Sequence, residues 1–332
     1  MAFWQNTSMR STLRTLTACV CICLWGTKAF AQKHSAQPVI IDTDIGDDID
    51  DAFALAYALN TPGFHILGIT TTFGDTELRA HIVTHLLDDA HRTGIPVMAG
   101  TPTPPKATDT QANYGHADKH PDAPQTAVDF ILQQARRSPG QITLITIGPL
   151  MNIGAAIDRD PAAFRKFKRV VVMGGSIARS YKKPDGSSTT TPSPEWNILN
   201  DPASARKLLN SGVPVYLLPL DSTQILFTTE LQTQILGQPD KLLQALAELA
   251  REAHRRIILY DPATVAFADN PSFCPTQPMH IEIDDKGYTR QTPGKPNAHV
   301  CLQSDEAAFL KLFTERLTIS ARSSQRSEVQ PH

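Results

Sequence analysis

Six aspartates lie within ten residues, directly after a short apolar run at positions 39–41. They are Asp42, Asp44, Asp47, Asp48, Asp50 and Asp51. Carboxylates this close repel one another, which raises their pKa values unless a cation neutralises the charge. A hard divalent cation bound by oxygen ligands would do so, and a set of about six to eight oxygens suits calcium better than magnesium. The cluster therefore predicts a metal site.

Two other interpretations of the cluster exist. An acidic helix start would account for Asp50 and Asp51, because the helix dipole stabilises aspartate in a first turn. It would not account for Asp42 and Asp44 at the end of the apolar run. A metal-dependent phosphatase with an aspartyl nucleophile also begins with an apolar strand and Asp-x-Asp. Such enzymes usually carry Thr or Val where this chain has Gly46, so the phosphatase stays a runner-up.

The segments that must position this cluster alternate between short apolar runs and helix-length stretches. The apolar runs span residues 38–42, 66–73, 96–99, 142–147, 169–173 and 213–220. The helix-length stretches span residues 51–59, 77–92, 126–137, 150–158 and 202–209. Because continuous apolar runs are typical of strands buried on both faces, we predict a single-domain α/β fold with a doubly wound, mostly parallel sheet flanked by helices. Such sheets bind ligands at the carboxyl ends of their strands, where the cluster must lie.

Residues 1–31 are predicted to be a signal peptide. Arg10 and Arg14 form a positive start, residues 16–25 form an apolar run, and a small-x-small cleavage site precedes Gln32. The apolar run is shorter than the roughly 20 residues of a membrane span, so stable membrane insertion is not expected. We therefore expect an exported bacterial protein, periplasmic or secreted.

The rest of the chain is predicted to form one folded domain at residues 32–321 and a flexible tail at 322–332. Two long polar loops interrupt the domain at residues 101–124 and 178–194. Loops of this length in a compact domain are usually functional or disordered.

The composition excludes several classes of protein. The chain has 31 Lys+Arg against 33 Asp+Glu, a net charge of −2, and 41% hydrophobic residues. These proportions are typical of a globular protein and exclude a disordered chain, a collagen-like fibre or a coiled coil. The chain has no basic stripe, so a nucleic-acid polymer is not an expected partner. Removal of the signal peptide leaves Cys274 and Cys301, for which one disulfide or two separate buried thiols are both open.

Five ordered motifs carry a family resemblance. The first pairs Asp42-Thr43-Asp44-Ile45-Gly46 with Asp50-Asp51-Ala52. The others are Ile147-Gly148-Pro149-Leu150-Met151-Asn152, Val172-Met173-Gly174-Gly175, Glu195-Trp196-Asn197 with Asp201-Pro202, and Asp261-Pro262 before Val265-Ala266. Over residues 38–315 the chain resembles the nucleoside hydrolases of the inosine–uridine-preferring type. Relative to the best-known members, Asp47 and Asp48 look like insertions.

The resemblance implies a calcium site and a general base. Asp44 would be both a calcium ligand and the base that takes a proton from a calcium-bound water. Asp51 would hold the metal with both oxygens, Asp261 would close the site, and the backbone carbonyl of Ile147 would be a further ligand. Asp42 would orient Asp44 from behind.

The resemblance also implies a set of substrate-binding residues. These are Asp50, Asp75, Met173, Glu195, Trp196, Asn197 and Asp261. Within the set, Asp50, Glu195 and Asn197 would hydrogen-bond the ribose hydroxyls, and Met173 would pack against the sugar. Trp196 would either line the pocket or cap the core beneath the neighbouring loop, and both possibilities are open.

At three positions the chain departs from many members of the family. Asn is common where this chain has Asp75 and Thr189. His is common where it has Tyr260, and that His protonates the leaving base. Tyr260 can also donate a proton, so it is the first candidate for the catalytic acid, and the sequence leaves open whether Tyr260, His116, His254 or no side chain serves. His116 and His254 are candidate replacements, although a solvated loop histidine and an exposed helix histidine are the favoured interpretations of these two.

The motifs together predict calcium-dependent hydrolysis of the N-glycosidic bond of ribonucleosides, releasing base and ribose. The reaction passes through an oxocarbenium-like state, whose positive charge nearby carboxylates stabilise. The expected partner is a small nucleoside or riboside, and the family's habit implies a dimer or tetramer. An exported ribose- or nucleoside-binding protein without turnover is the alternative, favoured by Tyr260 in place of His. Base preference depends on the two long loops and stays open.

Overall fold

The six predicted apolar runs all form strands in the computed structural model, which describes residues 36–104, 110–115, 126–183, 186–253 and 256–318. The strands are β1 (Gln37–Thr43), β2 (Phe64–Thr71), β3 (Val97–Ala99), β4 (Thr143–Thr146), β5 (Arg169–Met173), β6 (Val215–Leu218), β7 (Gln277–Met279), β8 (Ile281–Ile283), β9 (Thr289–Gln291) and β10 (Ala298–Val300). The predicted signal peptide and tail lie outside the described residues, as do His116 and His254.

The main sheet has eight strands in the order β3-β2-β1-β4-β5-β6-β10-β7. All its neighbouring strands pair in parallel except β7, which runs antiparallel to β10. The chain builds outward from β1 to β3 and then returns to the other side of β1 at β4. This reversal places a crevice between the carboxyl ends of β1 and β4, where doubly wound sheets bind their ligands. The predicted fold class is confirmed.

Helices cover both faces of the sheet. They are α1 (Asp50–Leu59), α2 (Thr76–Asp89), α3 (Ala112–Gly115), α4 (Ala127–Arg137), α5 (Met151–Arg159), α6 (Pro161–Phe164), α7 (Trp196–Asn200), α8 (Pro202–Leu209), α9 (Leu220–Thr223), α10 (Thr229–Leu236), α11 (Lys241–Glu252), α12 (Tyr260–Asp269) and α13 (Glu306–Leu317). A 3₁₀ turn, Pro271–Phe273, follows α12. Among the described helices, none is both long and apolar enough to span a bilayer.

The core lies in two layers, one on each side of the sheet. Alternate residues of β1 point to opposite faces, so Ile41 packs in the layer with α1, α2 and α12, and Ile40 packs in the layer with α4, α5 and α8. Both isoleucines are fully buried. Burial on both faces explains why the β1 sequence is apolar throughout rather than alternating.

Two features in the C-terminal part of the chain position residues near the acidic cluster. Helix α12 packs against α1, which carries the start of α12 to the acidic cluster. Cys274, just after the 3₁₀ turn, forms a disulfide with Cys301, just after β10. The disulfide therefore ties the segment that follows α12 to the sheet. Of the two possibilities that the sequence left open, one disulfide or two separate thiols, the structure has the disulfide.

Candidate active site

A six-residue turn, residues 44–49, connects β1 to α1 and is called the acidic loop below. Gly46 within it has a φ of +134°, a conformation that L side chains rarely adopt. A Cβ at Gly46 would also lie 3.0 Å from Nη1 of Arg79. The glycine of the motif is thus required both by the backbone turn and by the close approach of a buried arginine.

Arg79 holds the acidic loop in place. Its Nε donates to the carbonyl of Phe73 at 2.7 Å, and its Nη1 donates to the carbonyls of Ile45, at 2.7 Å, and Asp44. Its Nη2 pairs with the carboxylate of Asp47 at 2.8 Å, and the arginine is only 1% exposed. None of the sequence motifs described above singles out this residue.

A signal that could have revealed Arg79 is present in the sequence. It is the only Lys or Arg between residues 36 and 91, on the helix after the strand that neighbours β1. A buried group of acidic residues needs a cation nearby, because an unpaired buried charge is costly.

The acidic loop forms one wall of a cavity of about 450 Å³ at the carboxyl ends of the strands, within the size range of ligand sites. The residues lining it are Asp44, Asp47, Asp48, Asp50, Asp51, Ile147, Met173, Tyr181, Glu195, Trp196, Asn197, Tyr260 and Asp261. None of these lining residues carries a positive charge, so the cavity is strongly acidic.

Three of the lining carboxylates converge. Asp50, Asp51 and Asp261 each offer an oxygen, and these oxygens all lie within 4.8 Å of one another. The group is called the carboxylate triad below. The backbone N–H of Asp261 donates to Oδ2 of Asp50 at 3.1 Å, and the Thr43 hydroxyl donates to Oδ1 of Asp51. The triad is therefore assembled across α12 and α1 and oriented from β1.

Burial without a cation raises the pKa values of these carboxyls. The pKa values of Asp50, Asp51 and Asp261 lie well above the ordinary range, because of desolvation and then repulsion by neighbouring aspartates. Asp44 shares the cavity, is 7% exposed, and has a pKa of about 6, raised by burial and opposed by Arg79. Such a set of buried oxygens, short of positive charge, fits a hard divalent cation.

Asp42 is fully buried and is not among the residues that line the cavity. Its Oδ1 accepts hydrogen bonds from Thr70, at 2.5 Å, and from Asn152, at 2.8 Å. Its Oδ2 is buried and has no hydrogen-bond partner among the described residues. Burial raises the pKa of Asp42 to about 7. The role of Asp42 in orienting Asp44 stays a prediction.

The far wall of the cavity carries the polar groups of α7. Glu195 caps this helix, accepting from the N–H groups of Asn197, at 2.9 Å, and Ile198, at 3.1 Å. It also accepts from the N–H of Gly175 at 2.9 Å, and burial raises its pKa to about 7. Glu195 is therefore held rigidly by three backbone donors.

Asn197 links the two walls. Its Nδ2 donates to the carbonyls of Met173 and Ile147, both at 3.2 Å. The Ile147 carbonyl, expected as a metal ligand, thus points to the cavity side and accepts from Asn197 here. Asp50, Met173, Glu195 and Asn197, all predicted to bind substrate, line one cavity.

The mouth of the cavity is aromatic. Trp196 is 38% exposed and its ring packs edge-to-face on Phe73, with centroids 5.8 Å apart. Trp196 therefore has both of the positions that the sequence left open, because it lines the cavity and also covers the buried Phe73. Tyr260, predicted as the acid, also lines the cavity. Tyr181, from the second long loop, stands beside them and was missed by the sequence analysis.

Two of the family-variable positions do not reach the cavity. Asp75 is exposed, and its carboxylate accepts from the N–H of Leu78 at 3.0 Å, capping α2. The Thr189 hydroxyl donates a hydrogen bond to the Ser180 hydroxyl at 2.9 Å within the second long loop. Neither residue is among those that line the cavity.

Fold and cavity define the class: a doubly wound α/β protein with an acidic, cation-accepting site at the switch point of its sheet. The family model described as inosine-uridine preferring nucleoside hydrolase matches residues 39–311. The chain therefore belongs to the inosine-uridine preferring nucleoside hydrolase family.

The chain matches relatives and solved structures over nearly the whole length of those proteins. The chain is 28% identical to the probable uridine nucleosidase 2 of Arabidopsis thaliana, covering 84% of this chain and 97% of the relative. It is 29% identical to the pyrimidine-specific ribonucleoside hydrolase RihA of Enterobacter sp. (strain 638), covering 85% and 98%. The purine-preferring ribonucleoside hydrolase from Gardnerella vaginalis superimposes with a TM-score of 0.73 at 25% identity, covering 86% and 100%.

Family membership establishes the reaction type. The protein is an N-glycosyl hydrolase that acts on ribonucleosides. This favours hydrolysis over the phosphatase and over the binding protein without turnover.

Proposed function

We propose that this protein is a calcium-dependent ribonucleoside hydrolase that is exported from the cell. The observation that carries the proposal is the carboxylate triad, which lies in one cavity with Asp44, Glu195 and Asn197. All of the groups that would hold the cation are oxygens, which calcium accepts in flexible arrangements of about six to eight.

Four groups would hold the cation. They are the carboxylates of Asp44, Asp51 and Asp261 and the backbone carbonyl of Ile147. When bound, calcium supplies positive charge that neutralises the buried carboxylates and makes nearby water more acidic. Arg79 keeps Asp44 on the ligand side of the loop by holding its backbone carbonyl.

The chain's own residues would perform the remaining work. Asp44 accepts a proton from the attacking water. Asp50, Glu195 and Asn197 bind the ribose hydroxyls, and this fixes the anomeric carbon opposite Asp44. As the glycosidic bond breaks, positive charge develops on the sugar and the surrounding carboxylates stabilise it. Tyr260, which lines the cavity, would donate a proton to the departing base.

The experiment that tests this function measures free ribose released from a panel of purine and pyrimidine nucleosides. Chelator-treated protein should release ribose at the background rate, and added calcium should restore release. Both base classes are included, because the similar proteins named above comprise pyrimidine-specific and purine-preferring hydrolases. Unchanged activity after exhaustive chelation would rule out the calcium requirement.

Replacing the base is the matching variant test. Asp44→Asn should lower kcat by at least about 100-fold, the usual contribution of a general base, with the circular dichroism spectrum unchanged. Asp75→Asn is the matched control, because Asp75 caps α2 outside the cavity and Asn also caps helices well. It should retain full activity. Retained turnover in Asp44→Asn would contradict the role given to Asp44.

Export is proposed from the N-terminal segment and supported by the disulfide. Disulfides persist mainly in oxidising compartments such as the bacterial periplasm. Expressed in a bacterium, the full chain should appear in the periplasm or medium with a mass that begins at Gln32. A cytoplasmic protein that retains residues 1–31 would contradict this. A dimer or tetramer stays a prediction, for which light scattering is the measurement.

A further inference from the structure

A tethered segment, residues 176–182, leads into the second long loop and is called the strap below. At one end, the carboxylate of Asp221 accepts from the N–H groups of Ile177, at 2.9 Å, and Ala178, at 2.8 Å. Asp221 is 7% exposed, sits at the start of α9, and does not line the cavity.

Gln224 anchors the other end of the strap. Its Nε2 donates to the carbonyl of Ser180 at 3.0 Å, and its Oε1 accepts from the N–H of Lys182 at 2.5 Å. The Lys182 ammonium donates back to the Gln224 carbonyl at 2.7 Å. Two side chains of α9 and its end therefore hold the backbone on both sides of Tyr181.

This tethering aims Tyr181 across the mouth of the cavity. Its hydroxyl accepts from the N–H of Trp196 at 2.8 Å, which joins the strap to the start of α7. Its ring stands at 81° to the ring of Tyr260, with centroids 6.4 Å apart. These values are those of an edge-to-face contact, in which the two rings pack without stacking.

The cavity is thus divided into two chemically different parts. The floor carries the carboxylates, which suit a cation and a sugar. The mouth carries Tyr181 and Trp196, which remain 37% and 38% exposed although they are large aromatic residues. A nucleoside has the same division, because a polyhydroxyl sugar is joined to a flat aromatic base.

We propose that Tyr181 is a specificity-determining residue whose ring forms the wall that receives the nucleobase, and that Asp221 and Gln224 are positioning residues that hold the strap carrying it. The inference rests on ribonucleoside hydrolysis in this cavity, and not on the identity of the metal.

The test compares two inhibitors that differ only in the base part. The first is unsubstituted iminoribitol, a cationic mimic of the ribose transition state. The second is the same iminoribitol with a phenyl group at the carbon equivalent to C1′. The inhibition constant of the unsubstituted compound divided by that of the phenyl compound measures the contribution of the aromatic part to binding. Tyr181→Leu, which fills space without a ring, should lower this ratio roughly three- to tenfold. The constant for the unsubstituted compound should stay within about twofold.

Three further variants make the result specific. Tyr181→Phe keeps the ring and should keep the ratio. Asp221→Asn substitutes no cavity residue but weakens the strap anchor, so it should lower the ratio without changing the unsubstituted constant. Lys183→Ala, an exposed residue just beyond the strap, should change neither constant.

Two results would overturn the inference. If Tyr181→Leu weakens both inhibitors equally, Tyr181 serves only to hold α7. If it weakens neither, the base does not contact Tyr181. The same assays run with and without calcium report the metal requirement separately, so a failure of the calcium proposal leaves the inhibitor ratio readable.

Discussion

At the scale of single residues, the site depends on positions that carry no chemistry. Gly148 follows β4, and a Cβ there would lie 2.8 Å from both the backbone nitrogen and Oδ1 of Asp44. Phe73 has a φ of +64°, a strained value for an aromatic residue, and its ring supports Trp196. Such positions set where the reacting groups lie.

Gly148→Ala is expected to lower kcat/KM by at least about tenfold, since displacement of a catalytic group by about 1 Å can cost as much as 100-fold. The new methyl group would push Asp44 away from the cavity. Gly94→Ala is the matched control, because a Cβ at Gly94 meets nothing within 4 Å. Steady-state kinetics on both proteins decide the point, and equal activity would show that the acidic loop accommodates the methyl group.

The residues also show what the sequence could predict. The acidic cluster pointed to a metal site through composition alone, because repulsion among close carboxylates is a local property. Asp261 was reached only through the family resemblance, because its approach to Asp50 depends on helix packing. Tyr181 was missed because a tyrosine in a polar loop has no periodicity, and its direction is set by Asp221 and Gln224.

At the scale of elements, prediction succeeded where strands are long and buried. β1 to β6 were found because continuous apolar runs mark central parallel strands. β7 to β10 have three residues each, too few for a period to be recognised. Helices α11 and α13, at Lys241–Glu252 and Glu306–Leu317, are long enough to have been predicted from their apolar spacing.

The disulfide is expected to stabilise the fold without affecting catalysis. Cys274 and Cys301 are 27 positions apart, and closing a loop of this length contributes about 3.5 kcal/mol in the chain-entropy account. The double variant Cys274→Ala/Cys301→Ala should therefore unfold at lower urea concentration, with kcat/KM unchanged because both positions lie outside the cavity. Reductant should not destabilise the variant further. Equal stability of the two proteins would contradict this expectation.

At the scale of the whole molecule, the site is a concentration of buried negative charge that folding must accommodate. Burial raises the pKa of Asp44 to about 6, and those of Asp42 and Glu195 to about 7. The metal-free folded protein therefore binds more protons than the unfolded chain between about pH 4 and pH 7. This contribution to the free energy of unfolding is present at low pH and is lost as the pH rises through these values.

Chelator-treated protein should accordingly be less stable at pH 8 than at pH 5. Added calcium should increase the free energy of unfolding more at pH 8, since it replaces the protons as the neutralising charge. Urea unfolding at the two pH values, with chelator or calcium, measures both effects. Stability that rises with pH in the chelator would contradict the assignment of these raised pKa values.

The carboxylate triad joins residues far apart in the chain, and this has a consequence for the order of folding. Asp50 and Asp261 are 211 positions apart and meet through the hydrogen bond between them. During synthesis, the acidic loop emerges long before α12, so the three carboxylates meet only when α12 has docked against α1. Tight cation binding thus requires the complete fold, and a fragment ending before residue 260 should bind calcium far more weakly than the full chain.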